Sequence, residues 1–177
     1  MLTPPRKIRK VVFASLVSVA LFLTTLIVGT SPASAMTTTE QTMSTAMLKL
    51  FNAERALYHL APLVANWRLS SSARYHDVLM AKDNTMSHQL PGESSFGTRI
   101  SRTGYRWTRI GENIGWNSLV TTSGLLALER MMFNEKAPND GHRVNILNPY
   151  YRNIGIDVYI DKVHHKVWFT QDMGTPA

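Results

Sequence analysis

The apolar positions follow two different periods, and the change between them divides the chain. From Ser44 onward Met47, Leu50, Phe51, Glu54 and Leu57 recur at the spacing of a helix, with Ser44 placed to cap it. That helix is expected to stop before Ala61-Pro62, because proline disfavours helical geometry in the residue preceding it. A second stripe, Ala73, His76, Leu79 and Met80, predicts a helix from Ser70 to about Asp83, followed by a loop over Asn84 to His88. Phe96 to Thr103 suits a short helix ended by Gly104. Gly111-Glu112-Asn113 opens a tight segment, and Ser118 to Asn134 reads as a third long helix on Leu125, Leu126, Leu128 and Met132. Then the period becomes two. Ile154, Ile156, Val158 and Ile160 alternate with Gly155, Asp157 and Tyr159, and Lys166 to Asp172 returns after a polar turn over Asp161 to His165. Helices followed by a terminal antiparallel hairpin predict an α+β domain.

The first 35 residues obey different rules. Arg6, Lys7, Arg9 and Lys10 precede an apolar run from Val11 to Val28, and Ala33-Ser34-Ala35 follows it. Basic, apolar, then Ala-x-Ala is the order of a secretory signal peptide, so residues 1–35 are assigned to one, with cleavage after Ala35 and an extracellular product. An uncleaved membrane anchor is the alternative, since the run approaches the roughly 20 residues that span a bilayer. Met36 to Met43, rich in Thr and without a period, is expected to be a flexible lead to a domain at 44–177.

Processing changes what composition implies. The chain has 177 residues and a formal charge of +7, and the segment removed carries four of its 19 Lys and Arg but none of its 12 acids. The mature charge is therefore +3, which argues against nucleic acid as a partner and leaves a mild bias toward anionic polymers or lipids. There is no Cys. That excludes disulfides, thiol nucleophiles and lipid attachment through cysteine.

Familiar catalytic signatures are missing too. Gly92-Glu93-Ser94-Ser95-Phe96 begins like a nucleophile elbow, but Phe96 stands where the second glycine must be. No His-Glu-x-x-His helix and no phosphate-binding Gly-Lys loop occur. What remains is a set of separated segments, each with a His or Glu beside turn residues. They are Ser87-His88, Gly111-Glu112-Asn113, Glu135, and Gly141-His142-Arg143-Val144-Asn145-Ile146-Leu147.

In that order, between Leu50-Phe51-Asn52-Ala53-Glu54-Arg55 at one end and Thr170-Gln171-Asp172-Met173-Gly174 at the other, these segments resemble the CAP family. This is the family of the cysteine-rich secretory, antigen 5 and pathogenesis-related proteins. The resemblance covers Ser44 to Gly174 and implies an α-β-α sandwich with a central antiparallel sheet. It also implies a cleft in which two His and two Glu converge, holding a divalent metal in some members. Carried over by position, these are His88, Glu112, Glu135 and His142, with Glu129 a competitor for Glu135 on the same helix.

Such a cluster suits Zn²⁺: neutral imidazoles ligate, while a Glu either ligates or fixes an imidazole through its other nitrogen. The resemblance implies an extracellular binding module for a lipid, a cell-wall polymer or a protein. Two alternatives are a metal-dependent hydrolase of peptide or polysaccharide, with Glu112 or Glu135 as general base, and a cell-surface structural or stress protein with a vestigial site. Arg143 and Asn145 are read as scaffolding, and His59 and His76 as surface or core-edge groups. The polar turn should leave His164 and His165 in solvent. Tyr105, Trp107, Trp116 and Trp168 are expected mostly to pack between layers, with a sugar- or lipid-binding groove as their other use.

Overall fold

The computed structural model describes residues 35–177, which lie in one compact unit. The signal segment and its rival, the anchor, fall outside the described residues. Among the described residues no helix is long and apolar enough to cross a membrane.

The chain begins with α1 (Thr38–Ala56), six residues ahead of the expected start at Ser44. The expected flexible lead is thus ordered helix, for a local reason. Thr37 and Glu40 form a capping box: the Glu40 amide donates to Thr37 Oγ1 at 3.3 Å, and the Thr37 amide donates to Glu40 Oε2 at 2.7 Å. Glu40 Oε1 also accepts from the Ile160 amide at 2.8 Å, fastening the start of the helix to the sheet.

A two-residue strand β1 (Val64–Ala65) leads into α2 (Trp67–Asp83), capped by Asn66 and ended by Asn84 in the left-handed conformation. Then come α3 (Phe96–Arg102), β2 (Trp107–Asn117), α4 (Thr122–Phe133), α5 (Gly141–Ile146), β3 (Asn153–Asp161) and β4 (Lys166–Pro176). The predicted hairpin is β3 and β4, with Ile154 opposite Met173 and Gly155 opposite Asp172. Strand β2 replaces the expected tight segment at Gly111 and pairs with β4 from Trp107↔Pro176 to Asn117↔Val167. The sheet order is β1-β3-β4-β2; only β1 is parallel to its neighbour, and β2 is an edge.

Alternation along the strands sorts residues between two layers. Ile154, Ile156, Val158, Val167, Phe169 and Met173 face α1, α4 and α5, where Met47, Phe51, Leu125, Met132 and Ile146 complete the larger core. Each such fully buried side chain contributes about 1.5–3 kcal/mol. The opposite face meets α2 and α3 through two smaller clusters: Met80, Ala81, Leu90, Ile114 and Trp168, then Leu69, Ile100 and Tyr105. Helix α2 lies directly on β3. A Cβ at Gly155 would stand 2.0 Å from the Ser70 nitrogen and 2.1 Å from the Leu69 carbonyl carbon, so only glycine permits that approach. The result is the α-β-α sandwich that the resemblance implied.

Candidate functional site

The four predicted side chains form two His–Glu pairs, one on each side of the edge strand. Glu112 and Asn113 are consecutive on β2 and therefore face opposite layers. On the α2–α3 side, Glu112 Oε1 meets His88 Nδ1 at 2.8 Å. The carboxylate is buried, with its side chain 1% exposed, while the imidazole is 55% exposed. On the α4–α5 side, His142 Nδ1 meets Glu135 Oε1 at 2.5 Å, and the His142 amide donates to Glu135 Oε2 at 3.0 Å. Glu135 is thus held by both the ring and the backbone of one residue at the start of α5.

The two pairs are tied through the strand between them. Asn145 Nδ2 donates to the Glu112 carbonyl at 3.2 Å and to Asn113 Oδ1 at 2.9 Å. Asn113 Nδ2 in turn reaches the His142 carbonyl at 3.4 Å and Gln171 Oε1 at 3.2 Å. Asn145 therefore bridges across to β2 and does not close its own turn. Arg143 donates to the Phe133 carbonyl and the Tyr58 hydroxyl, and its charge acts on Glu54 without a direct salt bridge.

Glu129 takes another role. It is fully buried, accepts from Gln171 Nε2 at 2.5 Å and hydrogen-bonds Glu54, so the acid beside His142 is Glu135. Burial pushes Glu54 up to about 7 and Glu129 to about 8; the Glu54 charge adds to the rise at Glu129, while the hydrogen bond with Glu129 partly offsets burial at Glu54.

Beneath His88 runs a buried chain of charges that the sequence did not announce. Arg99 Nη2 donates to Glu112 Oε2 at 2.7 Å, and Arg99 Nε stands 3.0 Å from Glu93 Oε1. Glu93 Oε1 also meets His76 Nδ1 at 2.8 Å. His76 is therefore fully buried and hydrogen-bonded to Glu93, contrary to its expected place at the surface or core edge. Burial, aided by Arg99, lowers its pKa from the ordinary imidazole value. Burial alone would raise Glu112, but the hydrogen bond from His88 and the Arg99 guanidinium outweigh it and hold this carboxyl below the usual range. Asp172, opposite Glu112 in the register, goes the other way: burial first, then the Glu112 charge, raise it well above an ordinary Asp. At the far end of the sheet His164 is bound to Asp161 at 2.7 Å and is part-buried, so it is not the free turn residue expected.

The donor set decides what could be held here. Each imidazole of the two pairs has Nδ1 committed to a carboxylate, leaving Nε2 as the ring atom open to a ligand. That is how metal-binding histidines are commonly oriented. Glu112 and Glu135 have both oxygens engaged, so they suit the supporting role better than direct ligation. Among the described residues no three His, Cys, Asp or Glu side chains gather closely enough to hold a metal. Each pair thus offers one imidazole nitrogen to a ligand, and the described residues do not fit a closed three- or four-ligand cage.

Known proteins share this architecture. The chain is 30% identical over 128 residues to the uncharacterised protein YkwD of Bacillus subtilis, a match covering 72% of this chain and 46% of that protein. The chain thus spans less than half the length of this curated relative. An extracellular protein of Bacillus anthracis containing an SCP domain superposes with a TM-score of 0.65 at 24% identity, over 80% of this chain and 45% of that one. An outer surface protein of Borrelia burgdorferi superposes at 0.66 with 14% identity, over 77% of this chain and 95% of its own. The family model "CAP: Cysteine-rich secretory protein family" matches residues 48–173. The chain belongs to the CAP family of cysteine-rich secretory proteins.

Proposed function

We propose that this protein is an extracellular binding module whose ligand is held at the His88 and His142 imidazoles, with Zn²⁺ or a similar divalent cation as a component of the site. The observation carrying this reading is that both imidazoles keep Nε2 free while Nδ1 is fixed to a carboxylate. An export signal ending at Ala35 and the extracellular character of the Bacillus anthracis structure support the location. A bound cation would supply positive charge and open coordination positions for a ligand's oxygen atoms.

Binding is favoured over hydrolysis by the state of the acids. A general base needs an available lone pair and a pKa near the working pH. Glu112 is clamped between His88 and Arg99 and held below the usual range, and Glu135 is clamped by His142 alone.

Calorimetric titration of the mature secreted protein with Zn²⁺, repeated on His88→Ala and His142→Ala, tests the proposal. Each variant should weaken binding by about tenfold or more. Equal affinity in all three proteins would remove these histidines as ligands.

A further inference from the structure

We propose a second ligand site, separate from the His–Glu pairs, for a saccharide chain bearing acidic groups. It lies in the groove between the outer face of α3 and the start of β2. Its centre is Trp107, 36% exposed although it belongs to a strand. The indole is not loose: Nε1 donates to Ser101 Oγ at 3.1 Å. Gly97 makes room for it, since a Cβ there would stand 3.6 Å from Trp107 Cζ2 and 3.3 Å from Ile110 Cδ1. The ring is thus pre-set against the helix with part of its surface open. An immobilised aromatic surface offers contact at little entropic cost on binding.

Beside the indole is a hollow of about 500 Å³ lined by Ser95, Gly97, Thr98, Ser101, Arg102 and Trp107. Three hydroxyls at three-residue spacing lie along one side of the helix, and Ser95 Oγ and Thr98 Oγ1 are 3.1 Å apart. Hydroxyls that both donate and accept, next to an aromatic ring, match a pyranose: its C–H face lies on the indole and its hydroxyls meet the serine and threonine row. A lipid chain would leave the remaining hydrogen-bonding capacity of those hydroxyls unused.

Charge supplies the acidic part of the ligand. From Ser94 to Gly111 the chain has four Arg and no acid. Arg99 turns inward to Glu93 and Glu112, whereas Arg102, Arg106 and Arg109 are exposed. On the other side of the indole a second hollow reaches Gly104 and Arg106, and Arg68 Nε stands 3.5 Å from where a Cβ on Gly104 would be. Guanidinium groups on both sides of one exposed indole can each grip a carboxylate or phosphate in bidentate fashion. Helix α3 therefore has two uses: its inner face secures Glu112 through Arg99, and its outer face presents this groove.

The test is a calorimetric titration of the mature protein at low salt with mannopentaose phosphate, neutral mannopentaose, oligogalacturonate and a ten-residue oligothymidylate. At least one acidic saccharide should bind about tenfold more tightly than neutral mannopentaose, and which one binds identifies phosphate or carboxylate as the acidic group. Trp107→Ala and Arg102→Glu should each weaken that binding by about fivefold or more, with Trp116→Ala unchanged and Zn²⁺ affinity unchanged in all three. Should Trp107→Ala not fold, Trp107→Phe together with Arg102→Glu gives the same reading. Binding of both acidic saccharides no tighter than that of neutral mannopentaose, or variants that bind like the parent, would overturn the proposal. Tighter binding of the oligonucleotide, lost in the same variants, would overturn it in favour of nucleic acid.

Discussion

Arg99 and Glu112 meet at 2.7 Å with side chains only 2% and 1% exposed, so the support for the exposed His88 is an ion pair out of reach of water. Arg99 also holds Glu93, and removing its charge strands two buried carboxylates at once. Arg99→Met should lower stability by about 3–5 kcal/mol in a urea titration, the range for breaking one half of a buried pair. A loss under 1 kcal/mol would show that the network contributes little.

Glu54 and Glu129 set a pH dependence of stability. Both folded-state values, about 7 and about 8, lie above those of an unfolded chain. The folded protein therefore keeps protons that the unfolded chain releases, and stability falls as pH rises from about 4.5 to 8. Buried His76, lowered on folding, works in the opposite sense below its ordinary value, so the comparison needs a variant. Glu129→Gln copies the protonated form: its Tm should match the parent at pH 5 and exceed it at pH 9. Parallel Tm profiles would disprove the assignment.

Two glycines should respond oppositely to alanine. At Gly155 the new methyl would strike the backbone of Ser70 and Leu69, and Gly155→Ala should cost about 3 kcal/mol or more. At Gly141 nothing lies within 4 Å, and this first residue of α5 should gain about 0.4–1 kcal/mol from the same change. Thermal denaturation of both variants reads the contrast.

Glu135 tests the supporting role of the carboxylates. With its two contacts to His142, Glu135→Gln should weaken Zn²⁺ binding about 10–100-fold without abolishing it, while leaving the fold intact. Complete loss would make Glu135 a ligand. Affinity should also fall as the solution is acidified, because ligating imidazoles must be neutral.

Periodicity exposed what periodicity governs. The stripe through Met47 and Phe51 and the alternation from Ile154 to Ile160 both became the elements they predict. Strand β2 was hidden because Gly111, Glu112, Asn113 and Gly115 interrupt any apolar alternation; its pairing with β4, not its own pattern, makes it a strand. The early start of α1 was legible in Thr37 and Glu40, a capping spacing outweighed by the Thr-rich composition around it. Family order brought out His88, Glu112, Glu135 and His142, and the structure joins them as two pairs. Nothing local marked Glu93, Arg99 and His76 as one buried chain, because burial of a charge depends on which distant segment covers it.

The bridge from Asn145 to β2 carries a further consequence, for self-association. An edge strand is where a strand from another molecule can add. Asn145 already occupies the Glu112 carbonyl, and Asn113 is turned to the His142 carbonyl. The residues that assemble the candidate site thereby also blunt the open side of the sheet. Asn145→Ala should leave that edge adhesive, raising light scattering on concentration before any loss of secondary structure.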